Sequence, residues 1–497
     1  MDQQDVITAL ASGEAIGMAG TCVDRVDTHL SHVFLTEDRA YKLKRAVKLP
    51  FVDFSTADRR RAACETELEV NQRFAPRLYL GVQPVMRTGE GVRVGGEGDI
   101  VDWVVELRRF RDEDQFDRLA QRGRLTLPLI RETAAIVVDM HEKAEIVATA
   151  GHAADYRHII RELRETEADG ARRMGVEPAH TDLFDDLDTE LTRLDHLIES
   201  RRRAGKVRRG HGDLHLRNIC LFEGRPTPFD ALEFDPRLAT IDILYDLAFL
   251  LMDLRFNDLP AHANAVMNAY WDASGEGEEA LDLLPFFMAL RATVRMSVAV
   301  EAERLAEADA YRALAIDLLK RPEAALVAVG GLSGSGKSAV AAELCPLLPG
   351  PAGARWLRSD VIRKQTLGIA PQQHAGDADY TDAARTQVYR ELAARAGQAL
   401  HAHACVVADA TFLSMNARTL TSAAAPRCPL HAFWLDAPLE VRLERIAGRS
   451  GDPSDADASV AAAQEDPVDL GADWRRIDAL PPAAETAANL ARLVRGI

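Results

Sequence analysis

The 497 residues include six cysteines, Cys22, Cys64, Cys220, Cys345, Cys405 and Cys428, and no two of them form a C-x-x-C pair. That scatter argues against a disulfide framework and against a zinc site, and reduced thiols in a cytoplasm fit it best. The opening Met-Asp-Gln-Gln-Asp has none of the basic character of a secretory signal. No apolar run approaches the ~20 residues that a membrane span needs, so a cytoplasmic protein without a membrane partner is expected. Basic charge is in deficit: the net charge is −17, with most of the acidity in the first 322 residues and residues 323–497 nearly balanced. Such a surface disfavours a non-specific grip on nucleic acid or acidic lipid, and no basic tract with interleaved aromatics offsets it. Repeats and low-complexity tracts are also missing, and nothing in the sequence sets an oligomeric state.

Apolar residues make up 47% and charged residues 28%, ordinary for a globular chain. The length exceeds what one hydrophobic core supports, so two or three domains are expected. A long helical pattern over 299–319 is broken at Lys320-Arg321-Pro322, which puts the boundary at 322/323 with a linker of only a few residues.

The stretch that organises the rest follows that boundary. The apolar run 326–329 is long enough for a buried strand and runs into Gly331-Leu-Ser333-Gly334-Ser335-Gly336-Lys337-Ser338, the G-x-x-x-x-G-K-[ST] pattern. Helix formers from Ala339 to Leu344 complete a strand, glycine loop and helix. In that context backbone N–H groups cradle phosphate oxygens, Lys337 bridges the terminal phosphates, and the Ser338 hydroxyl can hold Mg²⁺.

In the front half, 30–35 and 39–44 read as two strands joined by the polar turn Thr36-Glu37-Asp38, with Lys42 and Lys44 on one face. A helical pattern over 56–74 carries Glu65, Glu67 and Glu69. A strand lysine paired with a helix glutamate is how a kinase N-lobe orients ATP phosphates, although lysines and glutamates also decorate most solvent faces. Another strand is expected over 101–110, then helices over 125–141 and 153–203. The sequence Gly210-His-Gly-Asp-Leu-His-Leu-Arg-Asn-Ile219 sets four residues between Asp213 and Asn218, the H-R-D-x-x-x-x-N spacing in which the aspartate takes a substrate hydroxyl proton and the asparagine holds Mg²⁺. Asp230 follows after a segment that accommodates a hairpin turning at Glu223-Gly224, so it can face the same metal. His211 and His215 read as structural histidines.

His211-Gly-Asp-x-His-x-x-Asn218, Asp230 and Leu244-Tyr-Asp-Leu-Ala-Phe-Leu250 together resemble the aminoglycoside phosphotransferase and choline kinase superfamily over roughly residues 20 to 320. The resemblance implies a protein-kinase-like, two-lobed fold acting on small-molecule hydroxyls. It assigns Asp213 as base, Asn218 and Asp230 as magnesium ligands, Lys42 as phosphate lysine with Lys44 as the competing choice, Glu67 as its partner, and Asp246 as structural. The chain departs from protein kinases in having no G-x-G-x-x-G before the lysine and in carrying Leu232-Glu233-Phe234-Asp235 where a simple D-F-G would stand.

Beyond the phosphate loop, a strand over 354–357 leads to Asp360 and Arg363. An acid there can accept a hydroxyl proton and the arginine can hold a phosphoryl group, while a helix cap is the competing role for Asp360. Asp409 ends the apolar strand that begins at Cys405, where a metal-associated carboxylate sits in such folds. Arg442, Arg445 and Arg449 recur at helical spacing before the loop 450–456, either as a lid reaching phosphates or as a solvated face. Residues 324–497 are similar to the small P-loop kinases, namely gluconate kinase, zeta toxin and the kinase part of polynucleotide kinase, the last two through Asp360-x-x-Arg363.

The expectation is therefore an α/β and α+β chain of two domains: 1–322, protein-kinase-like, and 323–497, a P-loop parallel-sheet domain with Ser333 to Ala339 around the phosphates. Each would use ATP and Mg²⁺ to phosphorylate a small-molecule hydroxyl such as that of a sugar or amino sugar. The alternatives are a regulatory ATP-binding half without transfer, or a nucleic-acid 5′-hydroxyl kinase in the second domain.

Overall fold

The computed structural model describes residues 3–496 except 19, 21, 22, 50, 51, 90, 175–180, 234, 370–372, 374–380 and 449–457, with the backbone alone at Met174, Thr181 and Pro236. The chain divides into two compact units, residues 1–155 with 198–253, and residues 156–197 with 254–497. These compact units differ from the expected division at 322/323 in that residues 254–322 gather with the P-loop sheet.

The first unit is built on a six-stranded antiparallel sheet in the spatial order Asp24–Asp27, Ser31–Leu35, Arg39–Lys44, Asp99–Arg108, Tyr79–Thr88, Gly91–Val94. Side chains alternate across the strand Arg39–Lys44. Leu43 joins Phe34, Val85, Val104 and the helix Gln3–Ala11 on one face. Lys42 and Lys44 therefore fall on the other face, toward the helix Ala57–Gln72, which also packs on Asp99–Arg108 and Tyr79–Thr88. Thr56 caps that helix, its hydroxyl accepting from Arg59 N. The expected hairpin is present as Ile219–Phe222 and Arg225–Pro228, and both turn residues, Glu223 and Gly224, have positive φ, as a two-residue antiparallel turn requires.

The second unit contains a five-stranded, all-parallel sheet in the order Arg355–Arg358, Val406–Asp409, Leu326–Gly331, Leu430–Asp436, Trp474–Asp478. Leu326–Gly331 lies in the middle and every residue of it is buried, which is why its sequence reads as uniformly apolar. Helices Leu284–Glu301 and Leu305–Leu319 pack on each other. The segment Glu278–Glu301 is long and apolar enough by composition to cross a membrane, contrary to the expectation that no such run exists, but most of it is buried in the core.

One edge of the parallel sheet is closed by a helix. Along Pro260–Ser274, Asn264, Asn268 and Asp272 recur every fourth residue and so share a face. Asn268 Oδ1 accepts from Trp356 N at 2.7 Å, and its amide donates to Ala354 O at 3.1 Å. Asn264 donates to Ala352 O and Ala354 O at 2.8 and 2.9 Å. Carboxamides thus occupy edge groups that a further strand would otherwise pair. Below them Arg355, 1% exposed, is held by Glu278 at 2.9 and 3.1 Å and by Asp272 at 2.9 Å.

Asn268→Ala leaves the half-buried Trp356 N–H without that acceptor, and should lower the stability of this unit by about 1–2 kcal/mol. A thermal melt of the full chain, followed by Trp fluorescence, checks it. An unchanged melt would mean that the edge does not depend on this helix.

Candidate active sites

In the first unit the strand lysines and the helix glutamate converge on two acids from the segment after the hairpin. Lys42 Nζ lies 2.8 Å from Glu67 Oε1 and 2.5 Å from Asp230 Oδ1. Lys44 Nζ lies 2.5 Å from Glu67 Oε2 and also pairs with Glu233. One carboxylate therefore serves both lysines. Burial alone would raise the Glu67 carboxyl, but the two ammonium groups outweigh it and hold it at about 2. Burial likewise opposes the charge on Lys42, and Asp230 with Glu67 more than reverses it, leaving Lys42 well above the ordinary lysine value. The two lysines are not equivalent. Lys44 is enclosed, with 1% of its side chain exposed, whereas Lys42 faces Asp230, whose side chain is 42% exposed.

Asp230 is fixed by its backbone. It adopts a positive φ of 58°, costly for a residue with a Cβ, while its N–H donates to the Tyr79 hydroxyl at 3.2 Å and the next N–H, of Ala231, donates to Asn71 Oδ1 at 2.8 Å. The loop bearing Asp213 is fixed by Asp246, which accepts from His211 N at 2.8 Å and Gly212 N at 2.9 Å. Gly210 must be glycine there, since a Cβ would come within 2.6 Å of Asp246 Oδ2. Asn218 Nδ2 donates to Asp213 Oδ2 at 2.8 Å, and His215 Nε2 lies 3.3 Å from the same oxygen. His211 is enclosed and donates from Nε2 to Phe229 O at 3.0 Å, tying this loop to the residue before Asp230; burial lowers its pKa.

In the second unit the loop 331–336 leaves the central strand with Gly331, Gly334 and Gly336 at φ of 143°, 84° and 95°. These values favour glycine, and Gly334 has a further reason: a Cβ would meet Arg442 O at 2.5 Å. Ser333 N donates to Gln464 Oε1 at 2.7 Å. Ser335 is buried, and Ser338 and Ala339 lie in the first turn of the helix Lys337–Leu344. Lys337 Nζ donates to Leu332 O at 3.0 Å. Asp409, 4% exposed at the end of its strand, accepts from Trp356 Nε1 at 3.3 Å. Burial pushes its carboxyl up, against the pull of Lys337 and of the Ser338 hydroxyl. Asp360 and Arg363 sit near the start of the helix Ser359–Leu367, with Arg363 Nη1 3.3 Å from Asp360 Oδ1.

The arginine face is corrected in part. Arg442 is buried and donates to Ser333 O and Ala461 O at 3.3 and 3.1 Å, and Arg445 donates to Ser335 O and Ala479 O at 3.0 and 2.7 Å. Both brace the phosphate loop through its carbonyls. Arg449 and the loop 450–456 lie outside the described residues, as does Phe234.

A family model described as an AAA domain matches residues 326–470, the part of the chain that carries the phosphate loop, Asp360, Arg363 and Asp409. Over most of its length the chain is similar to the uncharacterized protein Rv2004c of Mycobacterium tuberculosis, 29% identical and covering 93% of each chain. Among solved structures, a choline/ethanolamine kinase family protein from Mesorhizobium loti aligns over 65% of this chain and 96% of its own, at 13% identity and a TM-score of 0.41. A gluconokinase from Sinorhizobium meliloti aligns over 36% of this chain and 98% of its own, at 24% identity and a TM-score of 0.25.

Several interactions had no signal in the sequence order. Glu233 as the partner of Lys44, Tyr79 and Asn71 as anchors of the segment around Asp230, and Trp356 on Asp409 all join residues far apart in the chain. A helical N-x-x-x-N-x-x-x-D was visible as a pattern, but nothing local says which surface it covers.

The depressed Glu67 value gives a pH test. Its ordinary value is 4.5, so the stabilisation is complete above about pH 4.5 and is lost as pH falls toward 2. Glu67→Gln should cost about 3–5 kcal/mol at neutral pH, because two buried lysines lose their shared counter-charge. The gap in melting temperature between wild type and variant should narrow from pH 4.5 downward. A gap independent of pH would show that Glu67 is not ionised in the folded chain.

Proposed function

We propose that the chain is a cytoplasmic ATP-dependent phosphotransferase with two sites, each transferring the γ-phosphoryl group of ATP to a hydroxyl of a small molecule, a sugar or amino sugar being the class that fits best. One observation, made once in each unit, carries the reading. A lysine able to bridge phosphates shares its unit's phosphate region with a carboxylate able to hold a divalent cation: Lys42 with Asp230 in the first unit, and in the second Lys337, at the helix start after the glycine loop, with Asp409 at the end of the strand paired to the one that leads into that loop.

The oxygen donors suit Mg²⁺, which takes few protein ligands and completes its shell with water and substrate phosphate. Asp230 and Asn218 would hold it in the first unit, and Ser338 and Asp409 in the second. When bound, the ion neutralises the β- and γ-phosphate charge.

The chain's own residues do the rest. In the first unit Asp213, oriented by Asn218 and His215, takes the proton of the acceptor hydroxyl as the acceptor oxygen bonds to the γ-phosphorus and the bond to the departing ADP oxygen breaks. Lys42, oriented by Glu67, holds the phosphates. In the second unit the loop N–H groups and the helix N-terminus bind phosphate, with Asp360 as base and Arg363 beside it. Catalysis in both rests on positioning and charge.

Asp213→Ala and Lys337→Ala in the full chain, assayed for transfer of labelled γ-phosphate across a panel of sugars, aminoglycosides and oligonucleotides, should each abolish a different activity. The loss expected for a missing base is about 10²–10⁴-fold. Undiminished transfer in Asp213→Ala would remove the first site, and transfer to oligonucleotide 5′-hydroxyls alone would replace the acceptor class.

A further inference from the structure

Asp272 makes an interaction that the sheet edge does not require. Arg355 already has a two-point partner in Glu278, so its buried charge is compensated without Asp272. The other oxygen of Asp272, Oδ2, lies 2.6 Å from Arg358 Nη2. Arg358 lies over the Trp356 ring, its guanidinium carbon 4.4 Å from the centroid, and the indole N–H of Trp356 donates to Asp409. The strand register sets Arg358 directly beside Asp409, on neighbouring parallel strands and at their carboxyl ends, where ligands of such sheets bind. Asp272 also reaches the next element, because Gln365 Nε2 donates to its carbonyl at 2.7 Å from the helix that carries Asp360 and Arg363.

Two neighbours thus compete for one guanidinium. An arginine beside a buried carboxylate on the adjacent strand will pair with it unless held elsewhere, and a carboxylate so paired has fewer lone pairs for a cation. We propose that Asp272 is a positioning residue for the P-loop site: it holds Arg358 on Trp356 and away from Asp409, keeping the Asp409 carboxylate open to the magnesium of bound Mg-ATP. The inference rests on the P-loop reading above and adds to it a residue from outside the stretch that the family model matches.

The test uses the full chain and the fluorescent nucleotide mant-ATP, titrated with Mg²⁺, the P-loop contribution being the signal that Lys337→Ala removes. In Asp272→Asn the half-saturating Mg²⁺ of that contribution should rise by about tenfold, the effect of one competing charge pair, with mant-ATP affinity in EDTA unchanged. The double variant Asp272→Asn/Arg358→Gln should return to the wild-type Mg²⁺ dependence, because the competitor is gone. A general loosening of the site would instead weaken binding with and without Mg²⁺, and the second change would not rescue it; that result overturns the proposal, as does a shift of less than about twofold. Should Asp272→Asn not fold, Arg358→Gln alone decides: unchanged or tighter Mg²⁺ dependence supports the proposal, and a tenfold weaker one overturns it. If Lys337→Ala removes no signal, the P-loop reading itself fails, independently of Asp272.

Discussion

Glu67 has no exposed surface, and an isolated carboxylate in that position would be driven to take up a proton. It stays charged because two ammonium groups reach it from one strand, and those lysines are charged because Asp230 and Glu233 approach from the other side. The cluster alternates acid and base through five side chains. None of the five can be placed correctly without the others, so the strand Arg39–Lys44, the helix Ala57–Gln72 and the segment around Asp230 are held in mutual register by electrostatics as much as by apolar packing. An ion cluster of this depth is a poor source of net stability, since desolvation consumes most of the attraction. Its structural value is geometric: Lys42 is presented toward Asp230 while Lys44 absorbs the remaining negative charge.

The second unit meets a different constraint at the edge of its sheet. Parallel strands must have both their faces and their edges covered, and the strand Arg355–Arg358 has a neighbour on one side only. Asparagine side chains on the helix Pro260–Ser274 supply the missing donors and acceptors, and the acids Asp272 and Glu278 compensate the arginine beneath. The same strand ends at Arg358 and leads directly into Asp360. Covering the edge and holding the helix Ser359–Leu367 are here one set of interactions made by the helix Pro260–Ser274.

What the sequence made legible was local. The strand, glycine loop and helix around Lys337 follow from an apolar run, three glycines and a short helix-forming stretch, all close together in the chain. The hairpin between Asn218 and Asp230 was equally readable, because Glu223-Gly224 can take the two positive φ angles that the turn demands. The strand Tyr79–Thr88 was missed since Gly81 and Pro84 interrupt its alternation, and register shifts beside Gly81 and Met86 accommodate them. The helix Leu284–Glu301, interior to its unit, has no polar face from which a period could be read. The choice between Lys42 and Lys44 could not be made from spacing, because strand geometry puts both on one face; only the acids brought in from residues 230 and 233 separate them.

The two candidate sites present positive charge by different means, and this decides what each depends on. In the first unit it comes from ammonium groups at the ends of flexible side chains, so the burden falls on the counter-ions that orient them. In the second it comes largely from backbone N–H groups and a helix terminus, so the burden falls on the curvature of the loop. That curvature is held from outside: Arg442 and Arg445 take the carbonyls of Ser333 and Ser335, and Gln464 takes the N–H of Ser333. Arg442 and Arg445, offered by their spacing either as a lid or as a solvated face, thus meet the loop through its carbonyl oxygens. Arg358 and Arg363 belong to the edge strand and its helix. That strand and helix are pinned from outside the loop as well, by Asp272 through Arg358 and Gln365.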